Sequence, residues 1–403
     1  MKKPHIDNEN ILKYTKFKLK VVRRKDGYMI SKDQQLHYEL NEAFKTAEIP
    51  GMAVTIFTKD NILYKEELGY ANVEKKIPFT VNTIMNIASI SKTFIAVALM
   101  MAVEDGILDL DEDVNNILPF KVTNPYFSNN KISLRNLATH VSGIKDDDEI
   151  YNLNSYCATN CKEMPLKDFL YNYLSPKGKW YKKENFLNRR VGTSYEYSNI
   201  ASALVGYCIE IKSKIPYSKY VRENIFKKLN MNNCGWNQNE FNSEFPVLNY
   251  SKIRINFEEN KYYLGLSKKA LPPYKLVTYP DGGVTTSIND LTRFLLKIMK
   301  RDECKFISSK SIDLMLKKQF VESNIPNELK ERNHNMGLFW KYTKSGSFGH
   351  TGDDPGVSTL MSVRENGVAV IMFMNTDATT IGKDNLSKFY NILGKYCDKV
   401  RPN

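Results

Sequence analysis

Residues 83–103 read TIMNIASISKTFIAVALMMAV, and this stretch joins a polar turn to the longest strongly apolar run of the chain. The apolar run, Phe94 to Val103, is about half as long as the roughly 20 residues that a membrane-spanning helix needs. It therefore predicts a buried helix and no transmembrane segment. Ser89 and Lys92 stand at its head as an S-x-x-K match. If Ser89 opens the helix, Lys92 lies one turn further on the same face, and the positive helix N-terminus favours a developing alkoxide.

The S-x-x-K pattern is weak by itself, because Ser128 to Lys131 and Ser142 to Lys145 match it too. Only the match at Ser89 precedes a long apolar helix. A lysine serves as a base only when burial or a neighbouring cation removes its proton, so this context matters chemically. The plainer interpretation of Ser89 is a helix N-cap, a position that serine favours.

Two further motifs carry groups that could assist such a serine. Tyr197-Ser198-Asn199 offers a phenol for proton relay and an amide that can orient the lysine or a substrate carbonyl. His350-Thr351-Gly352 is predicted on a strand near the C-terminus, where a glycine lets a substrate backbone approach closely. Taken singly, the same residues could be a packed aromatic, a turn asparagine and a strand histidine.

Strand patterns lie at both ends of the chain. We predict a helix over 32–48, two strands within 51–71, strands at 347–350, 357–363 and 368–375, and a closing helix over 383–399. This arrangement indicates an α/β (α+β) fold, in which N- and C-terminal segments form one antiparallel sheet flanked by helices, with an inserted, mainly helical domain. The predicted divisions are a basic arm at 1–30, the sheet domain at 31–133 and 331–403, and the insertion at 134–330.

Composition limits the class of protein without choosing a function. The chain has 403 residues, 42% of them hydrophobic, which excludes a collagen-like or wholly disordered protein. Its net charge of +13 favours acidic partners such as nucleic acid, anionic lipid or anionic cell-wall polymer, and charge alone does not decide among them. The six cysteines are expected to be mostly reduced thiols without a metal. The first 30 residues lack the apolar segment of a secretory signal, which predicts a cytoplasmic protein as written and an extracytoplasmic one if a leader has been removed.

S-x-x-K, Y-x-N and H-T-G in this order resemble the motifs of penicillin-binding proteins and serine β-lactamases. The chain is similar to the class C β-lactamase and D,D-carboxypeptidase type of that hydrolase family well beyond the three motifs. The blocks that carry the resemblance run in order from about residue 50 to 385: Gly51 to Thr55, Asp105 to Val114, Leu137 to Gly143, Gly192 to Asn199, Pro280 to Gly283 with Asp290-Leu291, and Gly349 to Gly352.

The resemblance implies a β-lactamase/transpeptidase-like fold and an acyl-enzyme mechanism that needs neither metal nor organic cofactor. Ser89 would attack a carbonyl, Lys92 with Tyr197 would move the proton, and Asn199 would hold Lys92 and the substrate amide. The backbone N–H groups of Ser89 and Asp353 would form the oxyanion hole. His350, Thr351, Gly352 and Asp353 would bind substrate, whereas His140 would be structural.

The substrate stays open at this point. The implied reaction is cleavage of a D-residue-containing peptide or amide, as in D,D-carboxypeptidases and D-aminopeptidases, or of a small ester. His350 replaces the lysine of many β-lactamases and predicts at most weak β-lactamase activity, since a neutral imidazole grips a carboxylate less firmly. Asp353-Asp354 could repel anionic substrates and attract an amino group. A different class of function is an inactive binding or assembly module for acidic polymer; no nucleic-acid partner is expected.

Overall fold

The computed structural model describes residues 31–159, 164–237, 240–241, 247–257 and 261–400, together with the backbone of 23–24 and 27–28. The predicted basic arm at 1–30 lies outside the described residues except for those two backbone segments. In the described part of the chain, no helix is both long and apolar enough to cross a membrane.

Sixteen strands and twelve helices are described. The strands are β1 Arg23–Arg24, β2 Gly27–Tyr28, β3 Gly51–Phe57, β4 Ile62–Asn72, β5 Ile77–Pro78, β6 Met85–Asn86, β7 Tyr156–Ala158, β8 Tyr250–Asn256, β9 Lys261–Ala270, β10 Tyr274–Leu276, β11 Thr285–Thr286, β12 Asn335–Met336, β13 Lys341–Tyr342, β14 Phe348–Asp354, β15 Val357–Val363 and β16 Ala369–Met374. The helices are α1 Lys32–Thr46, α2 Lys92–Glu104, α3 Leu134–Ala138, α4 Asp148–Asn154, α5 Leu166–Leu174, α6 Asn199–Ser213, α7 Tyr217–Val221, α8 Ile288–Met299, α9 Ser309–Leu316, α10 Asn327–Lys330, α11 Ala378–Ile381 and α12 Lys383–Lys399.

Both ends of the chain build one antiparallel sheet of eight strands, in the order β12-β13-β14-β15-β16-β3-β4-β5. The two ends meet where β16 pairs with β3, from Ala369 opposite Phe57 to Met374 opposite Met52. This confirms the predicted fold class, including the strand pair joined at 59–61 and the closing helix over 383–399. The division into sheet domain and insertion stays a prediction.

Successive side chains of β3 pack into two separate hydrophobic cores. Met52, Val54 and Ile56 face a cluster that includes the apolar stripes of α1 and α12. Ala53 and Phe57 face the opposite way, into the larger core that contains α2 and α8. Since successive strand residues point to opposite faces, the sheet becomes the middle of three layers.

Helix α2 is buried all round, from Lys92 to Ala102. A helix that is apolar on every face belongs inside a protein or a membrane, and here α2 packs in the larger core. The Phe94 ring lies against Phe226 and Phe294, with ring centroids 5.3 and 4.3 Å apart. This packing fixes the N-terminal end of α2 deep in the protein, behind strand β14.

Strand β14 lies directly against the turn that precedes α2. Gly352 is buried, and a Cβ built on it would overlap the Ile87 carbonyl oxygen and the Thr359 hydroxyl. The Thr359 hydroxyl also donates to the Ile87 carbonyl at 2.9 Å. The sequence assigned this glycine to the close approach of a substrate; in the structure, the protein's own backbone occupies that space.

We therefore expect Gly352→Ala to push β14 away from the turn. Overpacking of this kind costs about 1–3 kcal/mol of unfolding free energy, which a urea titration measures. Gly282→Ala is the matched control, because its added Cβ would meet nothing nearer than 3.5 Å and its backbone is unstrained. Equal urea midpoints for the two variants would contradict the close packing of β14 on the turn.

Candidate active site

Ser89 lies in a 3-10 turn, Ala88–Ser91, immediately before α2. The expectation that Ser89 opens the α-helix itself is corrected to this extent: α2 begins at Lys92. Ala88 adopts a positive φ of 47°, an uncommon backbone conformation for alanine, and Asn86 Oδ1 accepts the Ala88 N–H at 2.5 Å. No side chain caps this turn, so Ser89 does not act as an N-cap. Its hydroxyl is directed at Lys92.

Lys92 is completely buried, and its Nζ has three oxygen neighbours from three segments of the chain. They are Ser89 Oγ at 3.0 Å, Asn199 Oδ1 at 2.7 Å and the Asp281 carbonyl at 2.9 Å. Burial lowers the pKa of the Lys92 amine from its ordinary value, although nearby carboxylates, chiefly Asp281, oppose that shift. A neutral amine can give its two hydrogens to Asn199 and Asp281 and direct its lone pair at the serine hydroxyl.

The position of Asn199 depends on a residue that the sequence analysis did not single out, Asp146. The Asp146 carboxylate accepts the Ser198 hydroxyl at 2.6 Å, the Asn199 N–H at 2.7 Å and the Ile200 N–H at 3.2 Å. It thereby satisfies free donors at the start of α6. Since Asp146 follows the predicted block at 137–143 by only three residues, proximity to that block was its only sequence signal.

Tyr197 completes the group around the serine. Its phenol is hydrogen-bonded to the Ser89 side chain, and its ring centroid lies 5.0 Å from Lys92 Nζ. Burial, helped by the charge of Asp281, raises the pKa of the phenol far above its ordinary value despite the Ser89 contact. Tyr197 is therefore a neutral phenol that can accept and donate a proton. The side chain remains 37% exposed, on the wall of a cleft.

The buried imidazole of His140 lies behind Tyr197, with ring centroids 4.5 Å apart. His140 Nδ1 accepts the Ser198 N–H at 3.2 Å, so the neutral ring carries its proton on Nε2. Burial and the charge of Lys92 lower the pKa of His140 well below its ordinary value. The imidazole supports the backbone before α6 and packs against Tyr197, in keeping with the structural role expected for it.

The other two S-x-x-K matches do not form such a group. Ser142 Oγ accepts the Ile144 N–H, whereas Lys131 donates to the Asp111 carbonyl on the surface. Burial of the lysine behind the serine therefore distinguishes Ser89 from both of them.

On strand β14, His350 and Thr351 line the same cleft as Ser89. The His350 Nδ1–H donates to the Thr351 carbonyl at 2.6 Å. Burial, and then the charge of Lys92, lower the pKa of His350 to about 3. The imidazole is thus neutral at pH 7 and offers no positive charge to a substrate carboxylate, which strengthens the interpretation drawn from the sequence.

Asp353 and Asp354 lie side by side in sequence but differ in surroundings. Asp353 Oδ1 accepts the Ala378 N–H at 2.8 Å and the Ser358 hydroxyl at 3.1 Å. Asp354 accepts the Tyr156 hydroxyl at 2.6 Å on Oδ1, and burial raises its pKa to about 8. The two carboxylates therefore have different surroundings, whereas the hypothesis from the sequence gave them one shared role.

A second buried carboxylate, Asp281, lies near Asp354. Tyr151 donates to both of its oxygens, at 3.0 and 3.1 Å, and burial raises the pKa of Asp281 to about 7. The charge of Asp281 adds to the rise in the pKa of Asp354, and the charge of Asp146 acts on Asp281 in the same way, since like charges in a buried site repel. In the sequence, Asp281 stands within the block from Pro280 to Gly283, but nothing in that pattern indicates a role for its side chain.

These groups open onto one cleft of about 500 Å³. The cleft is lined by both acidic and basic side chains, and its lining includes Ser89, Asp146, Asp148, Tyr151, Tyr156, Tyr197, Asn199, Tyr262, Asp281, Arg332, Lys341, His350, Thr351, Asp353 and Asp354. The structure thus brings every sequence-predicted site residue to the cleft or directly beneath it: Lys92 lies below Ser89, and Gly352, within strand β14, packs against the turn that precedes α2.

Comparisons with known proteins agree with this architecture. The family model described as Beta-lactamase matches residues 39–387. Protein flp from Staphylococcus aureus strain MRSA252 is 24% identical over 262 residues, which cover 65% of this chain and 48% of that protein. Beta-lactamase-like protein 4 from Dictyostelium discoideum is 23% identical over 322 residues, 76% of this chain and 51% of that protein. The chain thus spans about half the length of the curated relatives it matches.

Solved structures show the same fold. The octameric penicillin-binding protein homologue from Pyrococcus abyssi superposes with a TM-score of 0.67 and 23% identity, over 91% of this chain and 79% of that one. D-amino acid amidase from Ochrobactrum anthropi SV3, solved with D-phenylalanine, has a TM-score of 0.63 and 20% identity, over 90% of this chain and 99% of that one. With the family model matching most of its length, the chain belongs to the β-lactamase family.

Proposed function

We propose that this protein is a serine hydrolase that forms an acyl-enzyme on Ser89 and cleaves a D-residue-containing amide or peptide, or a small ester. The observation that carries the proposal is the position of Lys92 Nζ, 3.0 Å from Ser89 Oγ, with its other contacts taken by Asn199 and the Asp281 carbonyl. A buried amine held in this way is a base aimed at a hydroxyl.

In the proposed acylation, Lys92 takes the Ser89 proton while Oγ attacks the substrate carbonyl and the carbonyl π electrons move to its oxygen. The backbone N–H groups of Ser89 and Asp353 are the proposed donors to that oxyanion. The proton then passes through the Tyr197 phenol to the leaving nitrogen or oxygen, and the acyl–leaving-group bond breaks. In the second half, water attacks the ester carbonyl and gives a proton to the same base. The acyl–Oγ bond then breaks, the base returns the proton to Ser89 Oγ, and the acid product leaves.

A leaving amine needs a proton more than a leaving phenolate does. Tyr197 is suited to deliver it because the raised pKa of the phenol keeps its proton on until a stronger base forms, and because the ring lies on the cleft wall. We therefore assign Tyr197 a larger part in amide cleavage than in the cleavage of activated esters.

The substrate that we favour carries an amino group. Asp281 and Asp354 place two carboxyl groups at the cleft, whereas neutral His350 gives no cation for a substrate carboxylate. The D-amino acid amidase that shares the fold is, by its name, an enzyme for amides of D-amino acids. A D-amino acid amide or a short peptide with a free amine fits this charge pattern better than a β-lactam carboxylate does.

The alternative from the sequence, an inactive module for acidic polymer, would need none of this geometry. The contacts among Ser89, Lys92, Tyr197 and Asn199 form a proton path, and a polymer-binding surface has no use for a buried lysine. We therefore place hydrolysis first.

Trapping of the acyl-enzyme tests the nucleophile. We expect a fluorescent penicillin or fluorophosphonate to label the native protein, and Ser89→Ala to abolish the labelled band on a denaturing gel. Ser91→Ala is the control from the same turn, since Ser91 Oγ only accepts the Val284 N–H at 3.0 Å. Label that persists in Ser89→Ala would remove Ser89 from this role.

Replacement of the base separates proton transfer from packing. Lys92→Met preserves the length of the side chain and removes the amine, so we expect the acylation rate to fall by about 10²–10⁴-fold, the usual contribution of general-base catalysis. Stopped-flow hydrolysis of a p-nitrophenyl ester measures it. The account fails if a folded Lys92→Met variant acylates at the native rate.

The two acids predict a pH-dependent substrate preference. Since the pKa values of Asp281 and Asp354 are raised to about 7 and about 8, both become carboxylates only as the pH rises through that range. The kcat/KM ratio of a lysine-like amine substrate over its uncharged methyl isostere should therefore increase from pH 6 to pH 9, and Asp354→Asn should lower it about tenfold at pH 8.5.

The rim provides the control for this comparison. Asp148 lines the cleft but is exposed, where solvent screens its charge, so Asp148→Asn should change the ratio less than about twofold. A flat ratio in the native protein, or an equal effect of the two variants, would contradict recognition of an amine by the buried acids.

A further inference from the structure

The hairpin of β8 and β9 contains a wide bulge. Ser251 pairs with Lys269, but the next pairing joins Ile253 to Leu264, so residues 265–268 stand opposite Lys252 alone. A bulge of this size moves the chain out of the sheet and leaves its residues free to project. The bulge belongs to a two-stranded sheet that is separate from the main one.

Arg254 holds this bulge in place. Its guanidinium donates to the Ser251 carbonyl at 2.8 Å and to the Ile253 carbonyl at 2.9 Å, and its other terminal nitrogen donates to the Ser267 carbonyl across the bulge. A Cβ on Gly265 would lie 3.0 Å from the same guanidinium, so the absence of a side chain there lets the arginine fit. The projection is therefore a built feature, fixed by hydrogen bonds to three carbonyls.

The clamped bulge and the paired residues of β9 just before it present apolar side chains to solvent: Leu266 lies in the bulge, whereas Tyr263 and Leu264 pair with Arg254 and Ile253. Leu266 is fully exposed, Leu264 is 62% exposed and Tyr263 is 54% exposed. Single exposed apolar residues are common on proteins, but here two leucines and a tyrosine are exposed within four consecutive residues at and beside the clamped bulge, and we call this group the apolar tip. Transfer of these side chains from water into an apolar environment would lower the free energy.

Two lysines, Lys252 and Lys269, lie beside the apolar tip. The segment 250–270 contains five Lys or Arg residues and two Glu residues. Lys269 is exposed beside the bulge, and Lys252 lies opposite it. Lys268 donates to the Glu48 carbonyl and ties the hairpin to the end of α1. A partner that is both apolar and negatively charged would fit this combination of side chains.

We propose that this tip, formed by Tyr263, Leu264 and Leu266 with its neighbouring lysines, docks on an anionic lipid surface. A protein interface needs about 800 Å² from each partner, which three side chains on a narrow projection do not supply. Two copies joined through their hairpins would bring like charges together. Binding to an anionic membrane surface requires a few apolar side chains that insert to the depth of the headgroups and lysines that attract the lipids. The hairpin has both.

The same hairpin forms part of the cleft wall. Ile253 and Tyr262 line the cleft, and Tyr262 stacks on Tyr156 with ring centroids 6.3 Å apart. Docking through Leu266 would therefore bring the cleft mouth close to the membrane surface, without any change in the groups around Ser89. The inference is independent of the proposed reaction, because it concerns binding to lipid and not turnover.

Vesicle co-sedimentation tests this surface directly. The full chain is mixed with vesicles of phosphatidylcholine containing 30% phosphatidylglycerol, and with vesicles of phosphatidylcholine alone. We expect binding to the anionic vesicles only, weakened by 0.5 M salt, and at least a tenfold lower partition coefficient for the Leu264→Ser/Leu266→Ser variant. Val321→Ser, which removes another exposed apolar side chain at 62% exposure, is the matched control and should bind like the native protein.

Each other result overturns the proposal. Absence of binding to both vesicle types, or unchanged binding by the double serine variant, would show that the tip has no affinity for lipid. Equal binding to vesicles of phosphatidylcholine alone would show that attraction between the lysines and anionic lipid does not contribute to binding. A concentration-dependent dimer that the same double variant abolishes would show that the tip contacts a second copy instead. Hydrolysis of a soluble ester, measured alongside, should be the same in all variants.

Discussion

The structure depends on the burial of one amine. Lys92 is surrounded by protein, and its Nζ contacts oxygens from the turn at Ser89, from α6 at Asn199 and from the loop at Asp281. A buried lysine is costly unless it is hydrogen-bonded or neutral. These three segments therefore have to be brought together accurately, and the architecture around them can be understood as the means of doing so.

Three parts of the fold bring these segments together. Helix α2 carries Lys92 at the start of a segment that is buried from Lys92 to Ala102 and enclosed by the larger core, so the lysine cannot turn outward to water. Strand β14 closes over the turn at Gly352, where the Ile87 carbonyl leaves no room for a side chain. The buried Asp146 carboxylate fixes the start of α6 and thus the amide of Asn199. Each contact is made by a different part of the chain, so the site exists only in the complete fold.

The sequence was sufficient for the fold class, and its local patterns also singled out residues that the structure brings to one cleft. A strand pattern at 357–363 and an amphipathic helix pattern at 383–399 predicted β15 and α12 with their observed bounds, and the context of an apolar helix singled out Ser89 from two other S-x-x-K matches. The buried acids could not be found in this way. Asp146, Asp281 and Asp354 acquire their properties from burial against residues far away in sequence, such as Tyr151 and Tyr156, and no spacing rule reports such contacts.

The central claim is that burial and two fixed acceptors leave Lys92 with a free lone pair directed at Ser89. Titration of the protein labelled with ¹³C at the lysine ε carbons, with Lys92 assigned by the signal lost in Lys92→Met, measures the proton affinity of that amine directly. The account predicts a Lys92 pKa clearly below the ordinary value of 10.5. A value at or above 10.5 would show that the lysine remains an ammonium throughout and would contradict its role as the base.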